Sequence, residues 1–173
     1  MNSGAPYALQ RLWTPYRMAY IAGGDQTEDR HVPQGCPFCA MKEPREGDLV
    51  VHRGESVFAV LNLHPYNPGH LMVLPYRHIG SLEELTTDEA TELHAVTTQA
   101  VRVMKAVSSP DAFNVGLNLG SAAGGSLSAH LHQHVVPRWT GDANFITVIG
   151  QTKTLPQLLQ DTAGLLIEAW EQV

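Results

Sequence analysis

Three histidines stand in strict alternation in the last third of the chain. They are His130, His132 and His134, separated by Leu131 and Gln133 and followed by Val135. In an extended strand, residues i, i+2 and i+4 point to the same side. The spacing therefore predicts three imidazoles on one face of a strand over 130–138, roughly 6–7 Å apart per step. Such a row is odd as packing, and it follows a glycine-rich loop, Ser121 to Ser126. Two chemistries suit it. Neutral imidazole is a common metal ligand. It is also a nucleophile at pH 7, whose free nitrogen attacks phosphorus without prior deprotonation. A backbone carbonyl bonded to the other ring nitrogen would fix the tautomer, and neighbouring imidazoles could donate to phosphate oxygens and to a leaving group. The loop alone is ordinary turn composition. Its position before the row gives it meaning, because exposed backbone N–H groups can cradle phosphate.

A second group is the pair Cys36 and Cys39 in Cys-Pro-Phe-Cys. The residues before it lack the cationic start and apolar stretch of a signal peptide, so the pair reads as a metal or redox motif and not as a disulfide framework. A tetrahedral metal site needs two further ligands. His31, His52, His64 and His94 have no supporting pattern and read as surface residues.

The elements that must position these groups are partly legible. Val57 to Asn62 is a branched and aromatic run, and His70 to Tyr76 is another. With the turn-forming His64 to Gly69 between them, they read as an antiparallel hairpin. Val50 to His52 is a further short strand. Ser81 to Ser108 reads as the main helix, with Thr86 or Thr87 as cap, Asp88 and Glu89 in the first turn, and apolar residues at helical spacing from Leu93 to Val107. Ser108, Ser109 and Pro110 end it. Ala112 to Gly120 is a strand, and Leu155 to Val173 an amphipathic helix with Pro156 in its first turn. Strands, helix, strands, helix is the order of an α+β domain with an antiparallel sheet.

The bulk numbers agree with one globular domain. The 173 residues are 43% hydrophobic and 16% charged, with a formal net charge of -6. Without a basic block, nucleic acid is not an expected partner. No apolar run approaches membrane-spanning length, so no membrane partner is expected either, and the expected location is cytoplasmic.

The sequence H-L-H-Q-H-V-V, with G-G-S before it and P-R-W after it, resembles the histidine triad (HIT) family. Asn62 to Val73 (NLHPYNPGHLMV) resembles that family's upstream hairpin. Leu9 to Tyr20, Val115 to Ser126 and Trp139 to Ile146 are similar to the branch that phosphorolyses diadenosine tetraphosphate into ATP and ADP. The resemblance implies a HIT-like fold of about five antiparallel strands, one main helix and a C-terminal helix. An N-terminal extension would occupy 1–47 and the HIT domain 48–173. It also implies a homodimer or higher homo-oligomer, and a ping-pong reaction in which a histidine takes AMP and passes it on.

Carried over by position, His132 is the nucleophile, His134 contacts the scissile phosphate and leaving group, and His70 orients His132 from behind. Asn62 holds the ribose. Asn118, Gly125, Ser126 and Trp139 line the phosphate and nucleotide site. Many hydrolases of the family have Gln four residues before the first histidine, where this chain has Ser126. The shorter side chain leaves room for incoming phosphate and favours phosphorolysis. Some members of the superfamily combine C-x-x-C with a histidine after the hairpin and the first histidine of the triad. The match implies structural Zn2+ on Cys36, Cys39, His78 and His130, and a divalent cation such as Mg2+ or Mn2+ would accompany the substrate. Two alternatives stand beside this reading. One is a HIT hydrolase of dinucleoside polyphosphates or AMP phosphoramidates, and the other is a non-catalytic nucleotide- or metal-binding module.

Overall fold

Five strands build one antiparallel sheet in the order β1-β2-β3-β5-β4: β1 Val50–Arg53, β2 Val57–Leu61, β3 Leu71–Pro75, β4 Ala112–Leu117 and β5 Gln133–Arg138. The computed structural model describes residues 35–45, 47–123, 127–150 and 154–173. Residues 1–34 of the expected extension, and Gly125 and Ser126, lie outside the described residues. The helices are α1 Thr87–Ser108, α2 Phe145–Ile149 and α3 Leu159–Trp170. The expected α+β architecture is thus present, with one long helix and one C-terminal helix.

The strand pleat sorts side chains between two apolar clusters. Val57, Ala59, Leu61, Leu71, Val73 and Val135 face α1 and α3, meeting Leu93, Ala100, Val103 and Leu166. Phe58, Val60, Met72 and Leu74 face the other way and meet Phe38 of the Cys-Pro-Phe-Cys turn. That explains why β2 is apolar throughout and fully buried. His70 and His134 share the parity of Met72 and so lie on the face away from the helices. Gln133, of opposite parity, donates from Nε2 to Thr97 Oγ1 on α1 at 2.7 Å.

The main helix starts later than Ser81. Ser81 instead caps a separate 3-10 turn, Leu82–Glu84, and Leu85 and Thr86 are extended. Thr86 then opens α1 with a reciprocal cap: its hydroxyl accepts the Glu89 N–H at 3.2 Å, and the Glu89 carboxylate accepts the Thr86 N–H at 2.9 Å. The same carboxylate takes two N–H bonds from Arg77, which holds it well below the usual range, at about 2. Ser109, with φ of 45°, closes the helix ahead of Pro110. The C-terminal helix also starts late, at Leu159, because Leu158 is still extended.

The histidine strand starts at Gln133, three residues after the expected position. Main-chain pairing with β3 stops at Val73, and the next residues approach Pro75, which has no N–H to offer. The His130 ring takes the Pro75 carbonyl instead, through Nε2 at 2.9 Å, while the Leu131 N–H donates to Ile79 O at 2.6 Å. His64 and His94 are exposed as expected. His52 is half-buried, stacked on Trp170 with ring centroids 4.8 Å apart.

Candidate active site and adjoining metal centre

His132 is buried, 7% exposed, and its Nδ1 lies 2.7 Å from the carbonyl oxygen of His130. A carbonyl only accepts, so Nδ1 carries the proton and Nε2 keeps its lone pair. The tautomer suited to nucleophilic attack is therefore imposed by the main chain two residues upstream. Phe38 packs against this ring, with centroids 5.3 Å apart, and His134 meets it edge-on at 5.0 Å.

A second chain of hydrogen bonds fixes His134. The Tyr66 N–H donates to His70 Nδ1 at 3.1 Å, and the Asn62 amide nitrogen lies 3.4 Å from the same atom. His70 therefore accepts at Nδ1 and donates from Nε2, which lies 2.9 Å from His134 Nδ1. That leaves the His134 proton on Nε2, 3.3 Å from the Asn118 amide nitrogen; two N–H groups do not bond, so this tautomer requires the amide turned to present its oxygen. Burial, then repulsion from His134 and His132, pushes the His70 imidazole down to about 3. Burial and His132 hold His134 at about 4. Both rings are neutral at pH 7, so each has one donor and one acceptor, as the relay requires. His70 therefore holds His134, whereas the resemblance implied that it orients His132.

His134 and Asn118 open onto a cleft of about 360 Å³, walled by Tyr66 and Asn67 of the hairpin loop, by β4, and by Val136 and Arg138 of β5. Asn62 stands at the hairpin end, its Oδ1 accepting the His64 N–H at 2.9 Å. Trp139 does not line this cleft within the chain. It has the parity of the helix face, and its indole donates to Ser108 O at the end of α1 at 3.3 Å. Tyr66, Phe38 and Arg138 were not singled out from the sequence. Tyr66 could have been found, since its ring covers His70 at 4.7 Å and it lies four residues before that histidine.

Cys36, Cys39, His78 and His130 converge on the other side of His132. Their four ligand atoms lie within 4.8 Å of one another. Cys36 Sγ and Cys39 Sγ are 3.3 and 3.7 Å from His130 Nδ1, and Cys39 Sγ is 3.3 Å from His78 Nδ1. Ligands at the corners of a tetrahedral zinc site are roughly 3.5 Å apart, so the spacing fits. The donor chemistry fits as well. With its Nε2 proton on Pro75 O, His130 turns a bare Nδ1 toward the sulfurs, the second-sphere arrangement that metal-binding histidines use. Burial and the neighbouring Cys36 push the Cys39 thiol up, a penalty that a cation between them would reverse.

This geometry coincides with similarity to known proteins. A protein-family model described as the HIT domain matches residues 44–141. The chain belongs to the HIT family. Within that family, the AP-4-A phosphorylase of Mycobacterium tuberculosis is 58% identical over 165 residues, covering 94% of this chain and 85% of that protein. The asymmetrical bis(5'-nucleosyl)-tetraphosphatase of Schizosaccharomyces pombe is 35% identical over 96 residues, 56% of this chain and 52% of its own length. Among solved structures, a Zn-bound histidine triad family protein from Mycobacterium smegmatis superposes with a TM-score of 0.65 at 26% identity, covering 80% of this chain and 94% of that one. No helix among the described residues of this HIT protein is long and apolar enough to cross a membrane.

Proposed function

We propose that this HIT protein is a nucleotidyltransferase that cleaves diadenosine tetraphosphate with phosphate to give ATP and ADP. The supporting observation is its 58% identity, over 94% of the chain, to a protein named AP-4-A phosphorylase. In the first step, the His132 Nε2 lone pair attacks the α-phosphorus, a P–N bond forms, the bond to the bridging oxygen breaks, and ATP leaves. The His134 Nε2–H, backed by His70 and the Tyr66 amide, donates to the departing oxygen or its neighbours. In the second step, inorganic phosphate attacks the same phosphorus, the P–N bond breaks, ADP leaves, and His132 is restored. Water in place of phosphate would give AMP. Asn62 is assigned to the ribose, and Asn118, Gly125 and Ser126 to the phosphates. A divalent cation such as Mg2+ or Mn2+ would enter with the polyphosphate and offset its charge.

Zinc on Cys36, Cys39, His78 and His130 belongs to the same reading, in a structural role. A cytoplasmic location is part of the same reading, since the Cys-x-x-Cys spacing suits metal ligands and not a disulfide framework. A homodimer or larger homo-oligomer is also part of it, supported by β4, an edge strand on which Val115 is 49% exposed.

The test is a product assay on diadenosine tetraphosphate with and without phosphate, using protein with and without His132→Ala. The expected outcome is ADP plus ATP only with phosphate, labelled AMP trapped on the wild-type protein, and turnover at least 10³-fold lower in the variant with its fold intact. AMP plus ATP regardless of phosphate would select the hydrolase instead. Normal turnover in His132→Ala would overturn the covalent mechanism.

A further inference from the structure

The relay behind His134 holds only while the Tyr66 N–H stays on His70 Nδ1, and Tyr66 belongs to the loop between β2 and β3. An amide in a loop is as fixed as the anchors of that loop. The next residue, Asn67, supplies one. It is 1% exposed, and its Nδ2 donates to Pro137 O on β5 at 2.8 Å and to Asp142 Oδ2 at 2.7 Å. A carbonyl and a carboxylate only accept, so both amide protons are committed and the side chain has one orientation. The main-chain oxygen of Asn67 accepts the His70 N–H at 3.1 Å, which closes the turn onto the same histidine.

Asp142 is itself held firmly. Arg138 donates to it from Nε and Nη2 at 2.6 and 2.9 Å, and the Trp139 N–H donates at 3.3 Å. Arg138 is tied to β4 in turn, its Nη1 donating to Asn114 Oδ1 at 2.8 Å. The Arg138 guanidinium, then the Asn67 amide, hold the Asp142 carboxyl well below the usual carboxylate range. It therefore remains an acceptor wherever His70 and His134 are neutral.

We propose that Asn67 and Asp142 are positioning residues of the reaction: their hydrogen bond seats the Tyr66 amide on His70 and so keeps the His134 proton on Nε2. This rests on the nucleotidyltransferase reading, in which that proton goes to the departing oxygen. The dependence passes from carboxylate to Asn67, then to the Tyr66 N–H, His70 and His134. Without the anchor the Tyr66 amide is free to turn away, and His70 Nδ1 loses its nearer donor. The Asn62 amide nitrogen, at 3.4 Å, is a weaker substitute. His70 is then free to carry its proton on Nδ1. Its Nε2 would accept, and His134 would have to donate from Nδ1. In that tautomer His134 turns a lone pair toward the leaving group and has no proton to give it.

The experiment reads the tautomers directly, by proton–nitrogen NMR of protein with labelled histidine, purified without chelator, at about pH 7.5. Wild type should show His134 as a single Nε2–H form. Asn67→Ala and Asp142→Ala should show a mixture of both forms, with kcat about tenfold lower and KM within about threefold. Asp142→Asn should stay near wild type, because its amide oxygen still accepts from Asn67. Thr86→Ala, which loosens the fold away from the site, should leave the tautomer alone. A single Nε2–H form in both alanine variants would overturn the proposal, and so would the same mixture in Thr86→Ala. Should Asn67→Ala fail to fold, the two Asp142 variants decide. A tautomer shift in a protein whose wild type has no turnover would defeat the catalytic reading and keep the clamp.

Discussion

At His132 and His134, the deciding quantity is where each proton resides. A carbonyl fixes it on one ring, and a backbone amide acting through His70 fixes it on the other. Because His70 and His134 are held at about 3 and about 4, the folded state leaves them neutral where an unfolded histidine, near 6.5, would be protonated. The unfolded chain then binds more protons, so this pair's contribution to stability is fully present above about pH 7 and is lost as pH falls from about 6.5 toward 4. Thermal melts between pH 7.5 and 5 should show a steeper acid loss for wild type than for His70→Asn, with metal release common to both. Parallel curves would refute this. Alternation and the resemblance made the residues of the site legible. The partner of His70 was not legible, because the choice between His132 and His134 depends on ring orientation across two strands, and spacing along one strand does not report that. Trp139 illustrates the same limit. Its closeness in sequence to the histidines does not carry it into their cleft, because its parity is odd relative to theirs.

Among the elements, strands came through best where both faces are buried, as in Val57–Leu61, and helices where periodicity and caps agree, as from Thr86 onward. Ends were harder to read. Ser81 has a convincing capping box of its own with Glu84, but it starts only a 3-10 turn. The short helix α2 went unread because five residues are too few for a period to register, although Asn144 accepts the Ile146 N–H at its start. The start of β5 depends on Pro75, in a different strand, and a local reading of 130–138 has no access to it. The Thr86–Glu89 cap gives a direct test. Thr86→Ala should lower stability by about 1 kcal/mol, or roughly 2–4 °C in melting temperature, with turnover per folded molecule unchanged. No shift would mean that the Arg77 pair alone holds the helix start.

For the molecule as a whole, two features lie on opposite sides of the histidines. On one side is the Cys/His cluster. If it holds zinc, protein purified without chelator contains about one equivalent, and stripping it lowers the melting temperature by roughly 10 °C, the scale of a ligand bound far above its Kd. Metal analysis and a melt with and without chelator decide this, and an unchanged melt would remove the metal from the fold's support. On the other side is the β4 edge, where Val115 is 49% exposed, with Leu119, two residues past the strand, 46% exposed. Val115→Lys should shift the chain toward monomer in size-exclusion chromatography with light scattering, since a charge on an edge strand blocks pairing. An unaltered elution mass would place the contact elsewhere.

His130 joins these scales, because its Nδ1, its Nε2 and its main-chain oxygen serve three separate partners: the sulfurs, Pro75 and His132. Replacing the two thiols would vacate only the first of these posts, and a histidine there would still brace a strand end and direct the tautomer of its neighbour. Metal dependence is therefore separable from catalysis. Descendants of such a chain could discard the ion and retain the reaction, and substituting this imidazole would remove a metal ligand and the brace on Pro75 while leaving the main-chain oxygen that directs His132.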